Sequence, residues 1–99
     1  MACLIIWSHR ATEDLESIAA YIALDSKAYA SSVIRKILQK TRALADFPQM
    51  GRVVPEFGDD SIREIFAYSY RIIYKIERES VVVASIIHGR RILDISLKP

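Results

Sequence analysis

The sequence predicts an α+β fold in which an N-terminal strand and an antiparallel helical hairpin accompany a small, mainly antiparallel twisted β-sheet. Three observations support this. Residues 62–91 are dense in β-branched and aromatic side chains, two helix-period segments precede them, and a Pro- and Gly-bearing connection lies between. Because one helical hairpin covers only one face of a small sheet, we expect the other face to be partly open. Arginine-bearing strands beside it would make that face a concave basic surface for a partner.

The first half of the chain predicts one short strand and two helices. Residues 2–7 form an apolar run typical of a strand, and Ser8 is a helix N-cap candidate. Asp25 and Ser26 interrupt the helical pattern and begin a second helix, expected over about 27–45. The short junction predicts an αα-hairpin. The apolar stripes of the two helices are Ala11, Leu15, Ile18 and Ile22, then Ala30, Val33, Ile37, Thr41 and Leu44.

The second half predicts a surface connection and three strands. Phe47-Pro48 ends the second helix, because proline disfavours the helical conformation of the preceding residue. Residues 49–61 are expected to run over the surface, followed by strands at about 62–67, 70–78 and 81–88. The alternation predicts Tyr70, Ile72, Tyr74 and Ile76 on one face, and Arg71, Ile73, Lys75 and Glu77 on the other. The tail over residues 92–99 keeps alternating apolar residues that suit a last short strand or helix, or a segment that stays loose until a partner binds.

The composition predicts one cytoplasmic domain over residues 1–99 without a metal or cofactor. The single Cys3 excludes an internal disulfide, and one Cys with two His offers no metal cluster. We expect neither a secretory leader nor a membrane span. The net charge of +2 does not indicate a nucleic-acid binder, but residues 62–91 hold six basic and three acidic side chains. The basic character is therefore local.

An ordered set of short motifs resembles the ParE/RelE superfamily of toxins from bacterial type II toxin–antitoxin systems. The resemblance covers nearly the whole chain, and the forms YRIIY and HGRR resemble the ParE branch more than the RelE branch. The motifs are Trp7, Asp14-Leu15, Ile18, Tyr21-Ile22, Phe47-Pro48-Gln49-Met50-Gly51-Arg52, Ile62-Arg63-Glu64, Tyr70-Arg71-Ile72-Ile73-Tyr74 and Ile87-His88-Gly89-Arg90-Arg91.

The resemblance implies a small cytosolic toxin that a cognate antitoxin holds inactive in a hetero-oligomer. ParE-like members of the superfamily are associated with inhibition of DNA gyrase, and RelE-like members cut mRNA on the ribosome. We expect a ParE-like toxin that acts on gyrase by binding and not by its own chemistry. The basic residues expected to contact the antitoxin or the target are Arg52, Arg63, Arg71, Arg90 and Arg91.

Two alternatives stay open. A RelE-like, metal-independent endoribonuclease would use Arg71 and Arg91, which match the phosphate-stabilising arginines of that branch, and His88 for proton transfer. The tail tyrosine of RelE-like enzymes has no counterpart in residues 92–97, which disfavours this hypothesis. The third hypothesis is a non-toxic relative that retains antitoxin binding and transcriptional control.

Structural roles compete with these functional ones. Arg71 has Glu64 and Glu77 as candidate partners across the sheet, and a histidine at a strand end, as at His88, is commonly structural. Tyr70 and Tyr74 are expected to pack in the core or across strands. Gly51 suits a tight turn that aims Arg52 towards the open side of the sheet, and a plain turn explains the pair equally well.

Overall fold

A computed structural model describes residues 2–89 of the chain. Two helices accompany one five-stranded sheet of order β1-β5-β4-β3-β2, in which β1 is parallel to β5 and the other pairs are antiparallel. The predicted α+β class is confirmed. The elements are β1 Leu4–Trp7, α1 His9–Ala23, α2 Lys27–Ala43, β2 Arg52–Val53, β3 Ile62–Ala67, β4 Tyr70–Ile76 and β5 Ser80–His88.

Both helices begin where the sequence predicts. The Ser8 side chain accepts the Ala11 N–H at 3.0 Å, and the Ser26 side chain accepts the Tyr29 N–H at 3.0 Å. Each cap satisfies one N–H group that the first helical turn leaves unpaired. Helix α2 ends at Ala43 instead of residue 45, because residues 44–47 form turns ahead of the proline.

One face of the sheet, the helix-covered face, carries the main core. Val33 and Ile37 of α2, together with Leu44 at its C-cap, point to this face and are fully buried. Burying a side chain of this kind stabilises the fold by roughly 1.5–3 kcal/mol. From the sheet, Ile72 and Tyr74 join this core, as the predicted alternation requires. The alternation survives a β-bulge, since the pairing passes from Ile73 with Ser85 to Tyr74 with Val83.

The opposite face, which we call the second face, is only half open. Val54 and Ile73 are fully buried there, and Phe57, Ile62 and Ile87 pack around them. The prediction of a surface connection over 49–61 is therefore wrong in part. This segment, which we call the covering segment, pairs through β2 with β3 and then folds back onto the second face of the sheet. Its apolar residues have no periodicity, so their burial left no pattern in the sequence.

The remaining strand boundaries differ from the predictions by a few residues. Strand β4 ends at Ile76, ahead of the predicted residue 78, because the Glu77 N–H donates to the Ser80 carbonyl and closes a tight turn. Strand β1 begins at Leu4, since the preceding Cys3 N–H donates to Ala45 at the end of the helical hairpin. Arg90, Arg91 and the predicted tail element at 92–99 lie outside the described residues. Across residues 2–89, no helix combines the length and apolar character needed to cross a membrane.

Candidate partner-binding surfaces

A network of four charged side chains occupies the second face of β2, β3 and β4. The carboxylate of Glu64, which is fully buried, accepts hydrogen bonds from Arg52 Nε at 2.5 Å and Arg71 Nε at 2.7 Å. Arg71 also reaches Glu56 in the covering segment, with Nη1 and Nη2 donating to its two oxygens at 3.0 and 3.1 Å. The predicted pair of Arg71 with Glu64 is confirmed, whereas Glu77 lies 3.8 Å from Lys75 instead.

The network is electrically balanced, with two guanidinium groups and two carboxylates. Arg71 is only 7% exposed, and a buried cation of this kind requires compensating carboxylates. The hydrogen bonds that Arg71 donates to Glu56, followed by those to Glu64, raise the pKa of Arg71 against the opposing effect of burial. The same Arg71 hydrogen bond lowers the pKa of Glu56. Arg71 is thus held inside the molecule by its own acids, and its predicted role in partner binding stays a prediction.

The other two predicted binding arginines in the described residues also have internal contacts. Arg63 donates from Nη1 to the Gly51 carbonyl and from Nε to the Asp60 carbonyl, both at 2.9 Å. Its guanidinium therefore holds the two ends of the covering segment. Arg52 differs, because its side chain is 62% exposed while it contacts Glu64 and lies 5.5 Å from the centroid of the Phe66 ring. Arg52 is the one of these three that keeps a large solvent-facing surface.

Gly51 allows a close approach of two chain segments. The buried Tyr74 hydroxyl accepts the Gly51 N–H at 3.0 Å and donates to the Pro48 carbonyl at 2.7 Å. A Cβ atom at Gly51 would lie 2.6 Å from both this hydroxyl and the Glu64 carbonyl oxygen. The close contact with the core therefore requires a glycine at position 51, which the sequence explained only by a tight turn. The predicted core position of Tyr74 is confirmed.

Of the three residues of the nuclease hypothesis, the two that lie in the described part of the chain, Arg71 and His88, are not brought together. In the β4–β5 register, Tyr70 lies opposite His88, and Arg71 lies opposite Ile87. Since neighbouring side chains alternate between faces, His88 lies with Tyr70 on the helix-covered side and Arg71 lies on the second face. The Tyr70 and His88 rings meet edge-on, with centroids 5.8 Å apart. Arg91 lies outside the described residues.

The open half of the second face forms a groove of about 450 Å³, which we call the apolar groove. Its lining includes a row of side chains across three strands, from Val82 through Lys75 to Ile62. Basic groups of His9, Arg10 and Lys75 stand beside the acidic Glu77 at its rim. The residues that line the groove are Ser8, His9, Arg10, Ile62, Ile73, Tyr74, Lys75, Glu77, Val82 and Ala84.

A cluster of aromatic residues lies at the other end of the molecule, where the helical junction meets the β3–β4 hairpin. We call it the aromatic corner; it consists of Tyr21, Tyr29, Tyr68, Tyr70 and His88. These five residues line a cavity of about 250 Å³, and three of them also line a groove of about 550 Å³ between α1 and β5. Sequence reasoning missed this site, because its residues come from four separate elements.

The hairpin at the aromatic corner contains an unusual backbone conformation. Tyr68 has a φ of 55°, in the left-handed region that favours glycine. Tyr68 and Ser69 form the two-residue loop between Ala67 and Tyr70. The Tyr68 ring meets the ring of Tyr29 of α2 edge-on, and the two ring centroids are 6.2 Å apart. A non-glycine residue in this conformation costs roughly 1–2 kcal/mol, so the hairpin holds Tyr68 against a local penalty.

The structural role of Asp14, which the sequence analysis named only as part of a motif, is a second feature that the sequence did not reveal. The Ile86 N–H of β5 donates to its carboxylate at 2.9 Å. Strand β1 ends opposite Val83, so the α1 carboxylate replaces a strand partner for this part of β5. The groove between α1 and β5 runs past this contact. An acid four residues before the apolar Ile18 has no sequence signature that distinguishes this role.

The overall structure is compared with solved structures first. A chain described as "Chromosomal ParDE TA system from P. aeruginosa" is similar to this protein with a TM-score of 0.72 and 16% sequence identity, over 88% of this chain and 96% of that chain. At this identity the likeness defines the fold: a helical hairpin on one face of a mainly antiparallel sheet.

The family follows from the sequence itself. The profile of the ParE toxin of type II toxin–antitoxin system, parDE, matches residues 5–93. The chain therefore belongs to the ParE toxin family, and the resemblance that its motifs carry is confirmed. Among curated proteins, no sequence matches this chain.

Proposed function

We propose that this protein is a cytoplasmic ParE-like toxin that a cognate antitoxin neutralises in a hetero-oligomer, and that the free toxin inhibits DNA gyrase by binding it. The observation that carries the proposal is membership of the ParE toxin family over residues 5–93. The charged network supports action by binding and not by catalysis, because its one buried guanidinium is already occupied by two carboxylates.

The geometry disfavours a ribosome-dependent ribonuclease. Such an enzyme needs a proton-transfer group and a phosphate-binding cation on the same side of the reacting bond. His88 and Arg71 lie on opposite faces of the sheet, and phosphate binding by Arg71 would first require its bonds to Glu56 and Glu64 to break.

The apolar groove is the surface that we assign to the antitoxin. Its floor offers Val82 and Ile73, and its rim offers Arg10 and Lys75 for acidic side chains. An amphipathic segment with apolar residues on one side and carboxylates on its flanks matches this arrangement. Arg52 of β2, which is well exposed outside the groove, offers one more cation to the same partner.

Two parallel assays on the purified protein test the target. We expect inhibition of gyrase supercoiling together with intact mRNA on programmed ribosomes. Cut mRNA with unaffected gyrase would overturn the proposal, and loss of cutting in His88→Ala would then identify a nuclease. An effect in neither assay would favour the third hypothesis, a non-toxic relative that keeps antitoxin binding and transcriptional control.

A matched pair of variants tests the antitoxin surface. Val82→Arg places a cation on the groove floor, whereas Ser32→Arg adds the same side chain to the exposed side of α2. The probe is the purified product of the reading frame beside the toxin gene. We expect Val82→Arg to weaken its binding about tenfold or more, which corresponds to roughly 1.4 kcal/mol, and Ser32→Arg to leave it unchanged. Equal affinity of the two variants would place the antitoxin elsewhere.

A further inference from the structure

The aromatic corner exposes aromatic and aliphatic side chains that the core does not use. Tyr21 is 74% exposed and Tyr68 57% exposed, and Leu24 between the helices is 82% exposed. Tyr21 and Tyr68 line the 250 Å³ cavity together with Tyr70, and Leu24 is the chain neighbour of Asp25, which also lines it. Burial and the nearby hydroxyls of Tyr29 and Tyr21 raise the pKa of Tyr70, consistent with three phenol groups that converge on one site.

The backbone at Tyr68 is a second, independent observation. Only the first of the two hairpin residues has a positive φ, the pattern of a type II′ turn whose first position favours glycine. A tyrosine keeps this position and presents its ring beside Tyr29. Residues held in sparsely populated conformations cluster at binding sites, where a defined side-chain position outweighs the local penalty.

The charges at the corner indicate what it would accept. Asp25 lines the cavity and Asp14 lines the adjoining groove, whereas no Lys or Arg lines either within residues 2–89. Lys27, the nearest lysine along the chain, lines a different groove between the two helices. The Asp25 carboxylate disfavours a phosphate group at this cavity. A guanidinium group suits the site, because it stacks on aromatic faces and pairs with a carboxylate through its planar donors.

We infer that the aromatic corner is a protein-docking surface that receives an arginine side chain flanked by apolar residues of a partner. The arginine would stack among the tyrosine rings and face Asp25, and the flanking apolar residues would cover Tyr21 and Leu24. This surface lies on the helix-covered side of the sheet, away from the apolar groove. It does not depend on the gyrase or antitoxin assignments.

Nuclear magnetic resonance of the ring-labelled tyrosines tests this inference on the full-length protein. The probe is the peptide acetyl-Leu-Arg-Leu-amide, and the matched probe replaces arginine with citrulline, which has the same shape without the charge. We expect saturable shifts of the Tyr21, Tyr29 and Tyr68 rings at millimolar peptide, with binding of the citrulline peptide about tenfold weaker. The buried Tyr74 ring serves as the internal control and should not move.

Two acid variants separate the corner from general charge effects. We expect Asp25→Asn to weaken the arginine peptide about threefold or more, and Asp46→Asn, an exposed acid after α2, to leave it unchanged. Equal binding of the citrulline peptide, or absence of ring shifts, would overturn the inference. Shifts with oligothymidine but not with the peptide would also overturn it, in favour of a nucleic-acid surface. Because neither gyrase nor antitoxin enters the experiment, its failure would leave the proposed function untouched.

Discussion

The charged network on the second face and the aromatic corner use their side chains in opposite ways. In the network, Glu64 is fully buried and Arg71 nearly so, and each guanidinium contacts a carboxylate of the same chain. At the aromatic corner, Tyr21 and Tyr68 remain exposed, and one of them occupies a strained backbone position. Arg71, a predicted binding residue, thus makes its described contacts inside the molecule, whereas Tyr21 and Tyr68 keep exposed rings that the sequence did not single out as a binding site. Charge alone therefore does not identify a binding surface; the exposed fraction of its side chains must be considered as well.

The largest expected effect comes from Glu64→Gln. The change leaves buried Arg71 with Glu56 as its only carboxylate, and breaking a buried ion pair from one side is strongly destabilising. We expect the free energy of unfolding to fall by about 3 kcal/mol, measured by urea denaturation. The control is Glu16→Gln on the exposed side of α1, which should change little. A loss below about 1 kcal/mol would mean that Glu56 alone compensates Arg71.

The second-largest loss in the free energy of unfolding is expected for Gly51→Ala. The new methyl group would meet Tyr74 Oη and the Glu64 carbonyl oxygen at 2.6 Å, so we expect a loss of about 2 kcal/mol from overpacking. The double variant Gly51→Ala/Tyr74→Phe removes the hydroxyl and makes room. Its loss in urea denaturation should therefore be smaller than the sum of the two single losses. Strict additivity would contradict a direct steric contact between these positions.

A smaller effect concerns the pH dependence of the Glu56 contact. Hydrogen bonding to Arg71 lowers the pKa of Glu56 in the folded protein below its ordinary value. Its stabilising contribution is therefore present above the unfolded-state pKa and is lost as the pH falls through the folded-state pKa. We expect Glu56→Gln to cost less than about 1 kcal/mol at neutral pH.

The test is the free energy of unfolding of both proteins between about pH 7 and about pH 3. The difference between wild type and Glu56→Gln should shrink towards zero in acid, where the wild-type carboxyl is protonated as well. A difference that stays constant over this range would show that the ionised carboxylate makes no contribution to stability.

The smallest effect is expected at the aromatic corner. Tyr68→Gly relieves the left-handed strain but loses the ring pair with Tyr29, so the two terms should cancel to within about 0.5 kcal/mol. Tyr29→Ala breaks the same pair without relieving strain and should cost about 1 kcal/mol. Thermal unfolding of the two variants measures both. A loss of stability in Tyr68→Gly clearly larger than about 0.5 kcal/mol would mean that the Tyr68 ring stabilises the fold and is not held there against strain.

The amino-acid sequence by itself determined the two helices, their serine caps, the alternation of β4 and the family. These features depend on local propensity and on periods of 3.6 and 2 residues, which are visible in any single strand or helix. The motifs of the ParE family were likewise readable in chain order. Only the tertiary structure decided that Val54 and Glu56 fold back onto the second face, and that Arg71 lies between two acids there.

The tertiary structure also decided which residues meet at each candidate site. Tyr29, Tyr68 and His88 are far apart along the chain and carry no shared spacing, so their meeting at one corner depends on how the helical hairpin packs on the sheet. The separation of His88 from Arg71 depends on the β4–β5 register, because a shift of one residue would exchange the two faces. Local chemistry determined the elements, and long-range packing decided which residues are buried and which are left to bind.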